Sequence, residues 1–297
     1  NYITKRHYSC QYFIFIFCDN LVNLAHLWYT ILVYFSRINF VLEVSVTSPG
    51  PIAISIAGFD IRWYGILIAF GALLALFVSY KRAPRYGLSS DDVLDIALGI
   101  LPLGILGARV YYIIFNWDYY SGSTSEILNI RGGGLAIHGG LILGFITAYA
   151  ICKYKKISFV NAADLILPSV ALAQAIGRWG NFFNNEAYGT ETTLPWAIIV
   201  DGKSVHPTFL YESLWCFIIF IILSFIFRHR KFPGQVACLY GLLYAPERFL
   251  VEGLRTDSLM VGFLRQAQVI SIVIFIVSLT LYVYLKKRND YNSKNNL

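Results

Sequence analysis

Charge is scarce in this 297-residue sequence. Asp, Glu, Lys and Arg make up only 14% of the residues, whereas a soluble globular protein carries roughly 25%. Hydrophobic residues make up 57%, and they occur in runs of about 20, the length that crosses a bilayer as a helix. The composition therefore excludes one large soluble domain and predicts an all-α polytopic membrane protein.

Paired cysteines and several common active-site motifs are missing as well. The five cysteines include no Cys-x-x-Cys pair and have no histidine at metal-ligand spacing, so we expect neither a disulfide framework nor a metal site. The sequence contains no Gly-x-Ser-x-Gly elbow, no Walker-type loop and no acid pair at glycosidase spacing. These absences argue against the enzyme classes that such motifs identify.

The basic residues do not form one stripe of the kind that binds nucleic acid. The formal net charge is +7, but Lys and Arg are concentrated in four clusters, at 81–85, 153–156, 228–231 and 286–288. By the positive-inside rule these clusters face the cytoplasm. They follow the first, third, fifth and seventh of seven apolar segments, whose expected bounds are 63–80, 93–115, 134–152, 159–176, 208–227, 235–254 and 267–285. We therefore expect seven transmembrane helices, a cytoplasmic C-terminus and no nucleic-acid partner.

The expected domain organisation is simple. Residues 48–286 form one seven-helix domain, in which 185–206 is a small external segment, and 287–297 is a polar cytoplasmic tail. Residues 1–47 are an N-terminal extension whose apolar run, 11–35, is interrupted by polar residues. That run resembles an uncleaved signal or an additional span.

The stretch Gln174–Gly189, QAIGRWGNFFNNEAYG, brings polar residues into the end of an apolar run. Arg178 is the most costly of them, because a cation at membrane depth needs a partner or a ligand. One interpretation is that Arg178 neutralises a carboxylate of a neighbouring helix while the asparagines cap a helix end. The other is that the glycines let a bound anion approach the backbone.

The sixth apolar segment carries a second polar group. Tyr244, Arg248, Glu252 and Arg255 fall within an arc of about 80° on a helix and therefore share one face. Arg248 and Glu252 have the spacing of an i, i+4 ion pair, which would leave Arg255 and Arg178 without an anion. Arginine presents a planar fork that fits phosphate oxygens. An anion reached from the lipid phase is most simply a phospholipid headgroup.

Two further motifs contain histidine. His138 lies in RGGGLAIHGGLILG; a lone histidine on an apolar helix is more often structural, but the flanking glycines indicate close approach to a ligand. A side chain that titrates near neutral pH also suits a proton acceptor. His206 and Glu212 lie in HPTFLYES, where Pro207 is typical of a helix start and the motif could be only a cap.

Together these motifs resemble those of the bacterial prolipoprotein diacylglyceryl transferases. The resemblance covers about residues 48–286, and it rests on RWYG, GARVYYIIF, RGGGLAIHGGLILG, GRWGNFFNNEAYG, HPTFLYES and RFLVEGLRTD in that order. It implies a cytoplasmic (inner) membrane enzyme of lipoprotein biosynthesis that needs no cofactor. Such an enzyme moves the diacylglyceryl group of phosphatidylglycerol to the lipobox cysteine of a prolipoprotein, forming a thioether and releasing glycerol phosphate. Its partners would be phosphatidylglycerol, the lipobox segment and membrane lipids, met on the outer side of the membrane.

The resemblance also implies roles for individual residues. The expected catalytic residues are His138, Arg248, Tyr244, Glu186 and Asn181. The expected phosphatidylglycerol-binding residues are Arg178, Arg248, Gly189, Tyr64, Glu252 and Arg255. Two alternatives for the proton acceptor remain beside His138, namely Tyr244 and a water molecule held by Glu186.

Two rival functions are compatible with a polar site inside a helical bundle. A phospholipid or anion transporter would favour internal repeats and discontinuous helices, and the sequence shows no repeat. A membrane-embedded chaperone that binds lipoproteins without catalysis is the second rival. Covalent transfer to a lipobox peptide distinguishes the transferase from both.

Overall fold

The computed structural model describes residues 46–56, 58–129 and 133–295 of the chain, and helices dominate them. Expectations for residues 1–45 lie outside the described residues. The helices are α1 (Trp63–Arg82), α2 (Ser90–Phe115), α3 (Trp117–Tyr120), α4 (Thr124–Leu128), α5 (Ile137–Tyr154), α6 (Phe159–Gly177), α7 (Trp179–Asn184), α8 (Thr208–Arg228), α9 (Gln235–Leu254) and α10 (Gln266–Asn295). The strands are β1 (Val46–Thr47), β2 (Ile52–Ile56), β3 (Phe59–Arg62), β4 (Ile198–Val200), β5 (Lys203–Val205), β6 (Met260–Val261) and β7 (Leu264–Arg265).

All seven expected long helices are present, and six helical segments of the described chain are long and apolar enough to cross a membrane. They are Trp63–Tyr86, Ser90–Phe115, Ile137–Tyr154, Phe159–Asn184, Thr208–Arg228 and Gln266–Ser293. The remaining helix, α9, has the bounds that the sequence predicts but carries Glu247, Arg248 and Glu252. A multi-pass helical membrane protein is thus confirmed, with α9 set apart by its charge.

Helix α6 lies at the centre of the bundle and packs against α1, α8 and α9. Leu165 of α6 and Leu223 of α8 are fully buried in the apolar core. Many apolar side chains on the outer helix faces are exposed instead, for example Leu98 and Phe145 at 68% and 62%. This distribution suits a protein whose outer surface contacts hydrocarbon, because lipid tails solvate such side chains.

A buried carboxylate joins α6 to α9 at the end of the bundle that carries the basic clusters. Asp164, 0% exposed, accepts hydrogen bonds from the backbone N–H groups of Gly234 and Ala237, both at 2.7 Å. It also lies 3.0 Å from the guanidinium of Arg230. The carboxylate therefore caps the start of α9 and complements the positive end of its dipole.

Helices α2 and α5 approach each other through glycines. A Cβ at Gly107 would lie 2.5 Å from the carbonyl oxygen of Gly139, and one at Gly140 would lie 3.2 Å from that of Gly104. Small residues allow backbones in membrane helices to come this close. Helix packing therefore requires the HGG glycines that follow His138 to lack side chains.

Short strands lie at the opposite end, beyond the helices. Strands β1, β4 and β5 form a small sheet in that order, with β1 parallel and β5 antiparallel to β4. Val200 and Val205 of this sheet are buried with Phe209 of α8. Before α1, strands β2 and β3 pair antiparallel to form a hairpin. The sequence predicted a small external segment at 185–206, but it did not predict these strands.

We expect Gly107→Val to destabilise the bundle by about 1–3 kcal/mol or more, because the new side chain meets backbone atoms that cannot rotate away. Thermal unfolding of the purified protein in detergent measures the effect. Gly177→Ala is the matched control, since a Cβ there has nothing within 4 Å. Equal melting temperatures for the Gly107 variant and the parent chain would contradict this account of the α2–α5 contact.

Candidate active site

Glu212 of α8 lies between two arginines at the end of the bundle opposite the basic clusters. Its Oε2 is 2.7 Å from Arg178 Nη1 at the end of α6, and its Oε1 is 2.7 Å from Arg248 Nη1 of α9. The Glu212 side chain is only 2% exposed, whereas Arg178 and Arg248 are 21% and 17% exposed. One buried carboxylate therefore holds the two guanidinium groups side by side, and both arginines keep an accessible edge.

The alternation of charge continues along α9. Arg248 Nη2 lies 2.7 Å from Glu252 Oε2, and Arg255 Nε lies 3.9 Å from the same oxygen. Arg255 also donates two hydrogen bonds to the Asp257 carboxylate, at 3.0 and 2.8 Å, which hold the pKa of that carboxyl below its ordinary value. The Arg248–Glu252 pair is confirmed. The arginine–carboxylate cluster is the set Arg178, Glu212, Arg248, Glu252, Arg255 and Asp257.

The position of Arg178 is fixed by its neighbours in sequence. The indole N–H of Trp179 donates to Ser213 Oγ at 3.1 Å, and the Ser213 hydroxyl donates to the carbonyl of Ala175 at 2.7 Å. These two bonds fasten the end of α6 to α8, one residue beyond Glu212. The Arg178–Glu212 pair therefore joins elements that are already held together.

Asn181 and Glu186 of the GRWGNFFNNEAYG motif form one unit. The Asn181 amide donates to Glu186 Oε1 at 2.8 Å, and the backbone N–H of Glu186 donates to the Asn181 carbonyl at 3.0 Å. Asn185 and Ala187 adopt positive φ of 51° and 58°, so the chain reverses sharply around Glu186. The Glu186 side chain is exposed and is held by one hydrogen bond to Asn181.

Tyr64 lies beside the same motif, whereas Gly189 is packed in the interior. A Cβ at Gly180 would lie 2.4 Å from the Tyr64 ring, so the ring covers the backbone next to Asn181. Gly189 is buried, and a Cβ there would lie 2.7 Å from that of His206. Its N–H donates to the His206 carbonyl at 3.0 Å. The absence of a side chain at Gly189 is thus required by packing.

His206 and Tyr244 have defined surroundings of their own. His206 Nδ1 lies 3.2 Å from the Tyr211 hydroxyl, and burial lowers the pKa of its imidazole. Tyr244 stacks on Tyr240, with ring centroids 5.7 Å apart, and the Tyr240 hydroxyl donates to Gln174 at 2.8 Å. Tyr244 therefore shares the α9 face of Arg248, as the sequence predicts.

His138 lies in the first turn of α5 and is half-buried. Its ring is 6.1 Å from that of Tyr111 on α2, and it makes no hydrogen bond within the described part of the chain. The arginine–carboxylate cluster belongs to α6, α8, α9 and the residues after α9. His138 and the arginine–carboxylate cluster thus belong to different helices.

Arg109 organises the loop that precedes His138. It is 4% exposed and donates to the carbonyls of Gly133 and Gly134 at 2.7 and 3.0 Å, and to those of Glu126 and Ile127. The loop therefore folds around one guanidinium. The sequence showed Arg109 near the end of an apolar segment and within the GARVYYIIF motif, but not as a site residue.

Sequence reasoning left two carboxylates of this region out of the expected site. Glu212 was noticed in HPTFLYES, but its distance in sequence from Arg178 and Arg248 hid the shared ion pairs. Glu247 is 7% exposed on α9, and it was not singled out because it directly precedes the more conspicuous Arg248. Its position between Pro246 and Arg248 on an otherwise apolar helix was the available signal.

Comparison with known proteins decides the family. The family model "Prolipoprotein diacylglyceryl transferase" matches residues 51–284. The chain belongs to this family. The transferase is similar to a phosphatidylglycerol–prolipoprotein diacylglyceryl transferase of Finegoldia magna, with 55% identity over 80% of this chain and 96% of the relative. A protein of the same name from Clostridioides difficile is 53% identical over 81% of this chain and 97% of the relative.

Family membership removes the two rival functions. The chain is a transferase of lipoprotein biosynthesis and not a transporter or a chaperone without catalysis. The predicted resemblance to this family is confirmed. The matched range contains every candidate residue from Tyr64 to Arg255.

Glu212→Gln should destabilise the transferase by about 3–5 kcal/mol, because removing the shared carboxylate leaves the partly buried Arg178 unpaired and Arg248 with Glu252 alone. The melting temperature in detergent measures this loss. Glu191→Gln is the control, since the Glu191–Lys203 pair is 66% and 67% exposed and an exposed pair contributes little. An equal, small shift for both variants would show that Glu212 does not neutralise the arginines.

Proposed function

We propose that this transferase moves the diacylglyceryl group of phosphatidylglycerol to the lipobox cysteine of a prolipoprotein and that Arg178 and Arg248 hold the phosphate. The names of its relatives state both substrates. The observation that carries the proposal is the pair of arginines joined by one buried carboxylate. Arg178 uses one nitrogen for Glu212, and Arg248 uses one for Glu212 and one for Glu252, so each guanidinium retains N–H donors for a ligand.

The chemistry favours such a pair. The cysteine sulfur attacks the glyceryl carbon, and the carbon–oxygen bond to phosphate breaks with its electrons left on oxygen. The leaving glycerol phosphate therefore gains negative charge as the reaction proceeds. Two fixed guanidinium groups stabilise that developing charge more than they stabilise the bound substrate, and this difference is what lowers the barrier.

We place this reaction at the outer end of the bundle. The basic clusters at 81–85, 153–156, 228–231 and 286–288 lie at one end, and by the positive-inside rule that end is cytoplasmic. The arginine–carboxylate cluster, the β1–β4–β5 sheet and the Asn181–Glu186 unit lie at the other. The C-terminus is then cytoplasmic, and the prolipoprotein meets the lipid on the outer side.

The thiol also needs a proton acceptor. A free thiol has a pKa near 8.5, so it is mostly protonated at neutral pH, and the thiolate is the nucleophile. We assign the acceptor role to His138, whose ring makes no hydrogen bond within the described residues. Tyr244 and a water molecule held by Glu186 are the alternatives, and Asn181 fixes the orientation of that carboxylate. Tyr64, Gly189, Glu252 and Arg255 then shape the lipid site around the two arginines.

The overall function is tested by incubating the purified transferase with phosphatidylglycerol vesicles and a lipobox peptide. We expect the peptide to gain the mass of one diacylglyceryl group, and we expect no gain when the peptide cysteine is replaced by serine. A peptide that binds without any change of mass would overturn the assignment.

Arg178→Lys and Arg248→Lys should each fold and insert yet transfer far more slowly, by about 10²-fold or more. Lysine keeps the charge but loses the planar fork that matches phosphate oxygens. Transfer rates with saturating peptide and binding to phosphatidylglycerol vesicles measure the two effects, and Arg178→Lys should weaken binding. Lys153→Gln, in a cytoplasmic cluster, is the control. Near-normal transfer by both lysine variants would favour a purely structural counter-ion role.

His138→Gln should lower the transfer rate by about 10²–10⁴-fold, because the peptide thiol loses its proton acceptor. Binding of phosphatidylglycerol should change little, since His138 lies outside the arginine–carboxylate cluster. The decisive measurement is activity per folded molecule, together with the melting temperature. A variant with full activity and a lowered melting temperature would show that His138 only packs.

A further inference from the structure

Glu247 is a buried carboxyl group of α9 that no hydrogen bond within the described residues accounts for. It lies on α9 next to Arg248, its side chain is 7% exposed, and neither carboxyl oxygen has a hydrogen-bond partner among the described residues. Buried polar groups in native proteins are nearly always hydrogen-bonded, so an exception of this kind calls for an explanation. An ionised carboxylate left alone in such a place is very costly.

The groups that face Glu247 do not neutralise it. Helix α6 ends at Arg178, α8 contributes Glu212 and Cys216, and α9 itself contributes Arg248. Helix α10 also packs against α9, but its first charged residue is Lys286, close to its far end. Both arginines already lie 2.7 Å from Glu212, and Glu212 repels a second negative charge nearby.

The ion-paired charges of the arginine–carboxylate cluster balance without Glu247, and one further guanidinium, that of Arg265, donates to the main-chain oxygens of Glu252 and Arg255. The cluster contains three guanidinium groups and three carboxylates, namely Arg178, Arg248, Arg255, Glu212, Glu252 and Asp257. A phosphatidylglycerol headgroup adds one negative charge to this set. Ionised Glu247 would add another beside it, so the bound lipid favours the neutral, protonated carboxyl.

We propose that Glu247 carries a proton in the resting enzyme and donates it to the phosphate oxygen that leaves the glyceryl carbon. This inference rests on the proposed role of Arg178 and Arg248 in holding that phosphate. A neutral acid at this position is a hydrogen-bond donor to the substrate and a proton donor to the product. An ionised Glu247 would repel the substrate phosphate, so protonation of Glu247 favours substrate binding.

The proton and electron balance is complete. The cysteine sulfur forms a bond to the glyceryl carbon, and the carbon–oxygen bond breaks with its electron pair on the phosphate oxygen. That oxygen takes the Glu247 proton, so glycerol phosphate leaves as a monoanion. His138 takes the proton of the cysteine thiol and releases it to water, and Glu247 takes a proton from water, which restores the resting state. No other reactant is consumed.

The test compares Glu247→Gln with the parent chain and with Glu191→Gln as the surface control. Glutamine keeps the shape and a hydrogen-bond donor but has no proton to transfer. We expect Glu247→Gln to fold and to bind phosphatidylglycerol vesicles, while its transfer rate falls by about 10²-fold or more. The rate of the parent chain should decline as pH rises through the pKa of Glu247, and this alkaline decline should be absent from the residual activity of the variant.

A spectroscopic measurement tests the proton itself. Infrared difference spectra between acidic and alkaline pH should show a protonated carboxyl band in the parent chain and in Arg178→Lys, and Glu247→Gln should lack this band. If Glu247→Gln does not fold, Glu247→Asp should retain a protonated carboxyl band, with slower transfer and a shifted alkaline decline.

The outcomes that would overturn this proposal differ from those that would show that Arg178 and Arg248 do not hold the phosphate. A normal rate and an unchanged alkaline decline in Glu247→Gln, or the same carboxyl band in parent and variant, would show that Glu247 holds no transferable proton. Normal transfer by Arg178→Lys and Arg248→Lys would instead show that the two arginines do not hold the phosphate. The infrared band would still report whether Glu247 is protonated.

Discussion

The site of this transferase depends on the cost of placing arginine where water is scarce. Each guanidinium near the end of the bundle needs a negative partner, and the chain provides Glu212 and Glu252 from two helices and Asp257 from the loop after α9. Glu212 matters most because it serves Arg178 and Arg248 together and thereby sets the distance between them. The carboxylate that neutralises the two guanidinium groups thus also fixes their positions relative to each other.

The remaining structure supports that arrangement from both ends. Asp164 fixes the start of α9 against α6 at the basic end, and Ser213 with Trp179 fixes the end of α6 against α8 near the cluster. Helix α9 therefore cannot rotate freely about its axis, and its polar face stays directed at α6 and α8. The α2–α5 pair, held by glycine contacts, packs against α1 and α6 and carries His138 and the loop ordered by Arg109.

The sequence predicted the long helices well because each is a long apolar run, and a bounded run of this kind has few alternative conformations in a bilayer. It singled out Arg178, Arg248, Glu252 and Arg255 as candidate site residues because charged residues in an apolar run are conspicuous. It could not predict that Glu212 joins two of them, since ion pairs between helices depend on tertiary contacts. The short strands were missed because two or three residues carry too little periodicity. The sequence could not show that the HGG glycines contact α2, because ligand approach and helix approach require the same absence of a side chain.

Within the described part of its loop, Arg109 binds mainly main-chain oxygens, and Tyr120 adds a side-chain contact through its ring and hydroxyl. Every residue type offers the same carbonyl acceptor. Glu126 and Ile127 can therefore be substituted without loss of these hydrogen bonds, provided that Arg109 and the glycine at 134, which adopts a φ of 72°, are retained.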